Sequence, residues 1–116
     1  MQHNKINYIE FPAKNMFKTK MFFAKCFAWK FQDYGTDYCA FFESGLDGGF
    51  YKSDQKASTA KGSCLVVIYS DSLQQTQQAI EQHGGKITKS IFDFPGGRRF
   101  HFTEPSGSEF AVWSDQ

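Results

Sequence analysis

The sequence predicts an α+β fold in which two βαβββ repeats form one cupped, eight-stranded mixed sheet with the helices on its outer face. Three observations carry this expectation. Two segments with apolar side chains at three- and four-residue steps are each preceded by one strand-like run and followed by three. The halves also keep register, since Tyr8 falls opposite Leu65 and Ala28 opposite Gly85, 57 positions apart in both cases. Between them, Ser53 to Ser63 contains no Phe, Leu, Ile or Val, so it cannot bury itself and reads as a connection. The repeats then cover residues 5–53 and 63–114 of one folded unit, with residues 54–62 as linker.

Each element has its own local reason. Ile6 to Phe11 alternates between two faces, and Pro12 is expected to end that strand. Asn15 can cap a helix in which Met16, Phe17, Met21, Phe22, Phe23, Cys26 and Phe27 form a stripe, with Lys18, Lys20 and Lys25 mostly between them. That stripe reads as core packing on a sheet rather than as a cofactor contact. Trp29–Tyr34, Asp37–Glu43 and Gly48–Ser53 read as short strands, separated by turn chemistry at Gly35-Thr36 and Ser44 to Asp47. In the second half Cys64–Tyr69 is an uninterrupted apolar run, Asp71 or Ser72 can cap a helix over Leu73–His83, and Gly84-Gly85 stops it. Strands follow over Lys86–Phe92, Arg98–Thr103 and Glu109–Trp113, the last two joined through Glu104-Pro105-Ser106-Gly107 as a hairpin.

Composition narrows the function classes. With 116 residues and 14 Phe, 5 Tyr and 2 Trp, one core can be large, but two complete domains do not fit. The formal charge of +1 leaves no electrostatic footprint for nucleic acid or an acidic membrane surface. Cys26, Cys39 and Cys64 have no CxxC spacing, so neither a disulfide framework nor a zinc site is expected, and each reads as a small buried hydrophobe. The start MQHNKINYIE lacks a leader pattern and no run is apolar enough for a membrane span, so a soluble, cytoplasmic protein is expected.

The segments INYIEFPAKN, FFAKCFAWKF and FTEPSGSEFAVWS resemble, in order, the first strand, the helix-to-strand turn and the closing motif of the glyoxalase, bleomycin-resistance and extradiol-dioxygenase superfamily, the vicinal oxygen chelate fold. The resemblance covers nearly the whole chain and implies the glyoxalase-like cup. It also implies where a metal would be held: one position in the first strand and one in the last strand of each repeat, occupied in metal-bearing members by His, Gln or Glu. Here those positions fall on Tyr8, Leu65, Ala111 and either Gly49 or Phe50. Four of these five side chains offer no lone pair, and a tyrosine is an uncommon ligand for a divalent cation, so neither metal nor cofactor is expected.

Strand alternation then sets Tyr8 with Glu10, Leu65 with Val67 and Tyr69, and Ala111 with Trp113 toward the cup, while Phe110 and Val112 face the helices. The expected ligand site consists of Tyr8, Glu10, Leu65, Val67, Tyr69, His101, Ala111 and Trp113, with Tyr8, Tyr69 and Trp113 as opposing aromatic walls. His101 could act as a general base, donate to an anionic ligand, or serve structurally. Glu10 could be an acid or base, or pair with Arg98, Arg99 or a lysine. Gly96-Gly97-Arg98-Arg99 could grip an anion or simply turn the chain. The expectation is a small-molecule-binding protein of the bleomycin-resistance type, forming a homodimer. The alternatives are a metal-dependent lyase resembling lactoylglutathione lyase, a dioxygenase, and a dimeric small-molecule sensor or scaffold.

Overall fold

The computed structural model describes all of residues 1–116. Its elements are β1 (Ile9–Ala13), α1 (Met16–Phe27), β2 (Lys30–Asp33), β3 (Tyr38–Phe42), β4 (Gly48–Lys52), β5 (Val66–Tyr69), α2 (Leu73–Gln82), β6 (Lys86–Phe94), β7 (Gly97–Thr103) and β8 (Glu109–Ser114), so βαβββ occurs twice. The strands hydrogen-bond as two four-stranded sheets, ordered β1-β4-β3-β2 and β5-β8-β7-β6, and no ladder joins one to the other. In each, the first strand of the repeat runs parallel to the last, which pairs antiparallel with its other neighbour. β1 and β5 are therefore both edge strands.

That placement corrects the expectation for Pro12. Ile9 N–H donates to Asp47 and Ser53 N–H donates to Ala13 C=O, so the odd residues of β1 bond toward β4. Pro12, one step out of phase, would aim its missing N–H away from the sheet, where no partner waits, and the strand runs through it to Ala13. The N-caps are Asn15, whose side chain accepts from Lys18 N–H, and Ser72, whose side chain accepts from Gln75 N–H. The linker is more ordered than its composition suggests: Thr59–Lys61 forms a 3₁₀ turn, Glu109 N–H donates to Ala57 C=O at 2.8 Å, and Ala57 N–H donates to Ser108 Oγ at 3.1 Å. Among the cysteines, Cys39 is buried and Cys26 half-buried, its thiol pushed up to about 11 by burial. Cys64, expected to be buried, is exposed because the chain is still outside β5 at that point.

The repeats share one core. Phe23 of α1 stacks on Trp29 at 4.6 Å and on Phe50 of its own repeat at 5.4 Å, and meets Phe110 of the other repeat at 5.0 Å. Phe22 reaches Phe102 at 5.8 Å, and Phe11 reaches Phe110 at 4.7 Å. Each such ring pair contributes about 0.5–1.5 kcal/mol beyond the area it buries. The face of each sheet turned to this core carries Phe11, Phe41 and Phe50 in one and Phe100, Phe102, Phe110 and Val112 in the other. The opposite, open faces are free for other residues.

A buried carboxylate fastens the halves. Glu104, 2% exposed in the β7–β8 turn, accepts from Thr19 Oγ1 on α1 at 2.6 Å and from the amides of Ser106 and Ser108 at 2.9 and 2.7 Å. Ser106 Oγ lies 2.6 Å from Thr19 Oγ1 and accepts the Asn15 amide at 3.0 Å. Burial holds the Glu104 carboxyl above its usual value of 4.5, the hydrogen bonds only partly opposing it. Glu104→Ala is expected to cost about 3 kcal/mol in urea unfolding at neutral pH, since it strands three donors; a loss below about 1 kcal/mol would refute this role. An acid whose pKa is higher folded than unfolded contributes stability that is full below the unfolded value and is lost as pH rises through the folded one. Relative to Glu104→Gln, the native chain should therefore lose stability as pH rises from about 4.5 toward neutrality, measured by denaturation at each pH.

Candidate functional site

On the open face of the first sheet, register places Glu10 beside Gly49 and Gly49 beside Ala40. The glycine has a specific use: a Cβ built there would stand 2.1 Å from Tyr38 Oη, because the Tyr38 phenol lies across it. Next to it, Gly48 makes the same room on the core face, where its Cβ would stand 2.5 Å from the Phe41 ring. Tyr38 donates to Glu10 at 2.8 Å, which uses its only proton, so Tyr8 donates to Tyr38 Oη at 2.6 Å. Tyr8 to Tyr38 to Glu10 is thus a directed relay. Burial first, and then the bonds to Tyr8 and Glu10, hold the Tyr38 hydroxyl well above the usual phenol range.

A second relay crosses the open face of the other sheet. Arg99 Nη2 lies 2.9 Å from His101 Nε2, and His101 Nδ1 lies 2.8 Å from Glu109 Oε2. Arginine can only donate, so Nε2 is the acceptor and Nδ1–H donates to the carboxylate, which assigns the tautomer. Glu109 also accepts from Thr59 N–H at 2.8 Å and Thr59 Oγ1 at 3.0 Å. Desolvation pushes its carboxyl up, but the hydrogen bonds from His101 and Thr59 outweigh this and hold it below the usual range. Two register shifts in β6 set Lys89 opposite His101 and Phe92 opposite Arg99. The Arg99 guanidinium sits 5.6 Å from the Phe92 ring and 5.9 Å from that of Phe94, and Lys89 Nζ lies 4.5 Å over Phe92. Trp113 pairs with Arg99 across the strands and meets Tyr69 edge-on at 5.2 Å and Phe94 at 6.1 Å. Tyr69 donates to Asp115 at 2.5 Å, a bond that raises the phenol and lowers the carboxyl.

The structure therefore divides the expected site residues into two groups. Glu10 lies on the first sheet and Tyr8 just before β1, where the strand expected from Ile6 has not yet begun. Val67, Tyr69, His101, Ala111 and Trp113 lie on the second, with Val67 and His101 flanking Ala111 in register and Leu65 just before β5. No hydrogen bond or ring contact joins the groups, and Tyr69 and Trp113 are edge-on neighbours on adjacent strands rather than opposing walls. Ala111 is fully buried and His101 nearly so, whereas Tyr8, Val67 and Tyr69 are exposed. Tyr38, Phe92, Phe94 and Lys89 join these faces without having been expected there. Alternation could have found Phe92 and Phe94, but the bulges of β6 hide their register. Two cavities run along β1. One of about 560 Å³ lies under the linker and includes Glu10, Tyr51 and Lys61; an apolar one of about 500 Å³ lies between β1 and β5 and includes Phe11, Phe41 and Ile68.

The donor chemistry does not fit a metal. Leu65, Ala111, Gly49 and Phe50 offer no side-chain donor, Tyr8 is already engaged with Tyr38, and no three His, Cys, Asp or Glu side chains converge on a common point.

Comparison with known proteins agrees with this architecture. Among solved structures, a glyoxalase/bleomycin resistance protein/dioxygenase family enzyme from Burkholderia phytofirmans PsJN superposes with a TM-score of 0.79 at 8% identity, covering 95% of this chain and 98% of that one. The genomically encoded fosfomycin resistance protein FosX from Listeria monocytogenes gives 0.79 at 17% identity, covering 97% and 94%. Lactoylglutathione lyase from Agrobacterium tumefaciens gives 0.74 at 10% identity, covering 97% and 95%. At these identities the likeness is one of fold. No curated protein matches the sequence. The family model for the Glyoxalase/Bleomycin resistance protein/Dioxygenase superfamily matches residues 5–112, and the chain belongs to that superfamily.

Proposed function

We propose that this chain is a small-molecule-binding member of its superfamily that works without the metal centre, holding a flat ligand on the open face of the second sheet against Trp113. The observation that carries this reading is the occupation of residue 49's space by the Tyr38 phenol, together with the aliphatic Leu65 and Ala111. A ligand on this face would meet Trp113 and Tyr69 as apolar surface, and the Arg99–His101–Glu109 relay as its polar recognition. A second copy is part of the proposal. Tyr8, Phe42, Tyr51, Val67 and Tyr69 are exposed in one chain, and the two open faces belong to sheets that share no ladder, so a homodimer could bring one open face opposite the other. The lyase and dioxygenase alternatives require donors that the four positions lack.

Three outcomes are expected. Protein purified without chelator should carry less than about one Zn, Ni, Mn or Fe per ten chains by elemental analysis; stoichiometric metal would overturn the proposal. Trp113→Ala should weaken binding of 4-nitrobenzoate or 4-nitrobenzamide about tenfold or more, on the order of 1.4 kcal/mol. The fold should survive, since Phe110 and Val112, both fully buried, hold β8 to the core. Calorimetric titration follows the binding, because Trp113→Ala leaves as the single tryptophan Trp29, which is stacked in the core between Phe23 and Phe41. Unchanged affinity would move the ligand off this face. Sedimentation at micromolar concentration should give a dimer, and a mass near 13.3 kDa would refute it.

A further inference from the structure

We propose that Arg99 selects anionic ligands, so that the molecules this face takes are flat aromatic acids whose carboxylate meets the guanidinium while the ring lies on Trp113. The inference rests on the reading of this face as the ligand site. Its own support is a polar atom left over. Arg99 Nε is buried and has no hydrogen-bond partner, although Nη2 of the same guanidinium is engaged with His101. A buried charged donor without an acceptor is costly, and a carboxylate oxygen is the group best able to remove that cost. The guanidinium is also aimed. The rings of Phe92 and Phe94 lie within 6 Å of it, and His101, itself tied to Glu109, fixes its far end, so a ligand would meet a donor fork that has already lost its rotamer freedom.

The surrounding charge favours the same class. Lys89 adds a second cation over Phe92. The nearby acids are occupied: Glu109 accepts from His101 and Thr59, and Asp115 accepts from Tyr69. Trp113, cross-strand from Arg99, presents an indole beside the fork, so stacking and bidentate bonding are available to one rigid molecule. The apolar cavity between β1 and β5 offers no comparable cation and would not distinguish an acid from its amide.

The test is calorimetric titration of the full chain with 4-nitrobenzoate and with 4-nitrobenzamide, which differ in the carboxylate alone. The acid is expected to bind about tenfold more tightly or better, and Arg99→Gln to bring the two affinities to within about twofold of each other. Lys89→Glu, at an exposed position whose loss does not threaten folding, should weaken the acid severalfold and spare the amide. Equal affinities for acid and amide in the native chain would overturn the anion inference and leave the aromatic site standing. A preference that survives Arg99→Gln would place the carboxylate elsewhere and overturn it too. If neither probe binds, both this inference and the proposed ligand face fall; should Arg99→Gln not fold, the native comparison and Lys89→Glu decide.

Discussion

A carboxylate taken out of water must find donors or give up its charge, and Glu104 finds its donors on both sides of the boundary between the repeats. Two of them are amides of its own turn, which shape that turn. The third is Thr19 on α1, one helical turn before Phe22 and Phe23. Anchoring Thr19 therefore anchors the rings that pack on Phe102 and Phe110, and with them the position of the second sheet under the first repeat's helix. Hydrophobic burial supplies most of the driving force but little directional information, because phenyl rings tolerate sliding. The short, directional bonds at Glu104 remove that freedom.

The two open faces follow one logic with different parts. Each carries a relay that starts at a donor, passes through a group that both accepts and donates, and ends on a carboxylate: Tyr8, Tyr38 and Glu10 on one, Arg99, His101 and Glu109 on the other. A relay of this kind fixes side chains at a surface where packing cannot, so each face presents polar groups already held in place.

Element types were legible because each repeat states them locally: caps at Asn15 and Ser72, an apolar helix stripe that is rich in phenylalanine in the first repeat and carries Leu73 and Ile80 in the second, and glycine turns. The end of β1 was not, since a proline stops an inner strand but not the outward-facing phase of an edge strand, and edges are set by pairing rather than by local pattern. For the same reason the division of eight strands into two ladders lay beyond the sequence. Alternation correctly put Phe110 and Val112 on the core side of β8 and Ala111 and Trp113 on the other. It could not reveal Tyr38, whose place depends on the missing side chain of a residue on the next strand, nor that Arg99, His101 and Glu109 bond in series.

The pairing of Gly49 with Tyr38 also constrains how such a chain can change. Any side chain at position 49 begins with a Cβ inside the Tyr38 hydroxyl, so no single codon change can install an imidazole or carboxylate there while the phenol stays put. Removing Tyr38 first opens a gap and leaves Tyr8 and Glu10 without their shared partner. A side chain at position 49 therefore requires the Tyr38 phenol to swing aside, and with it the link between Tyr8 and Glu10.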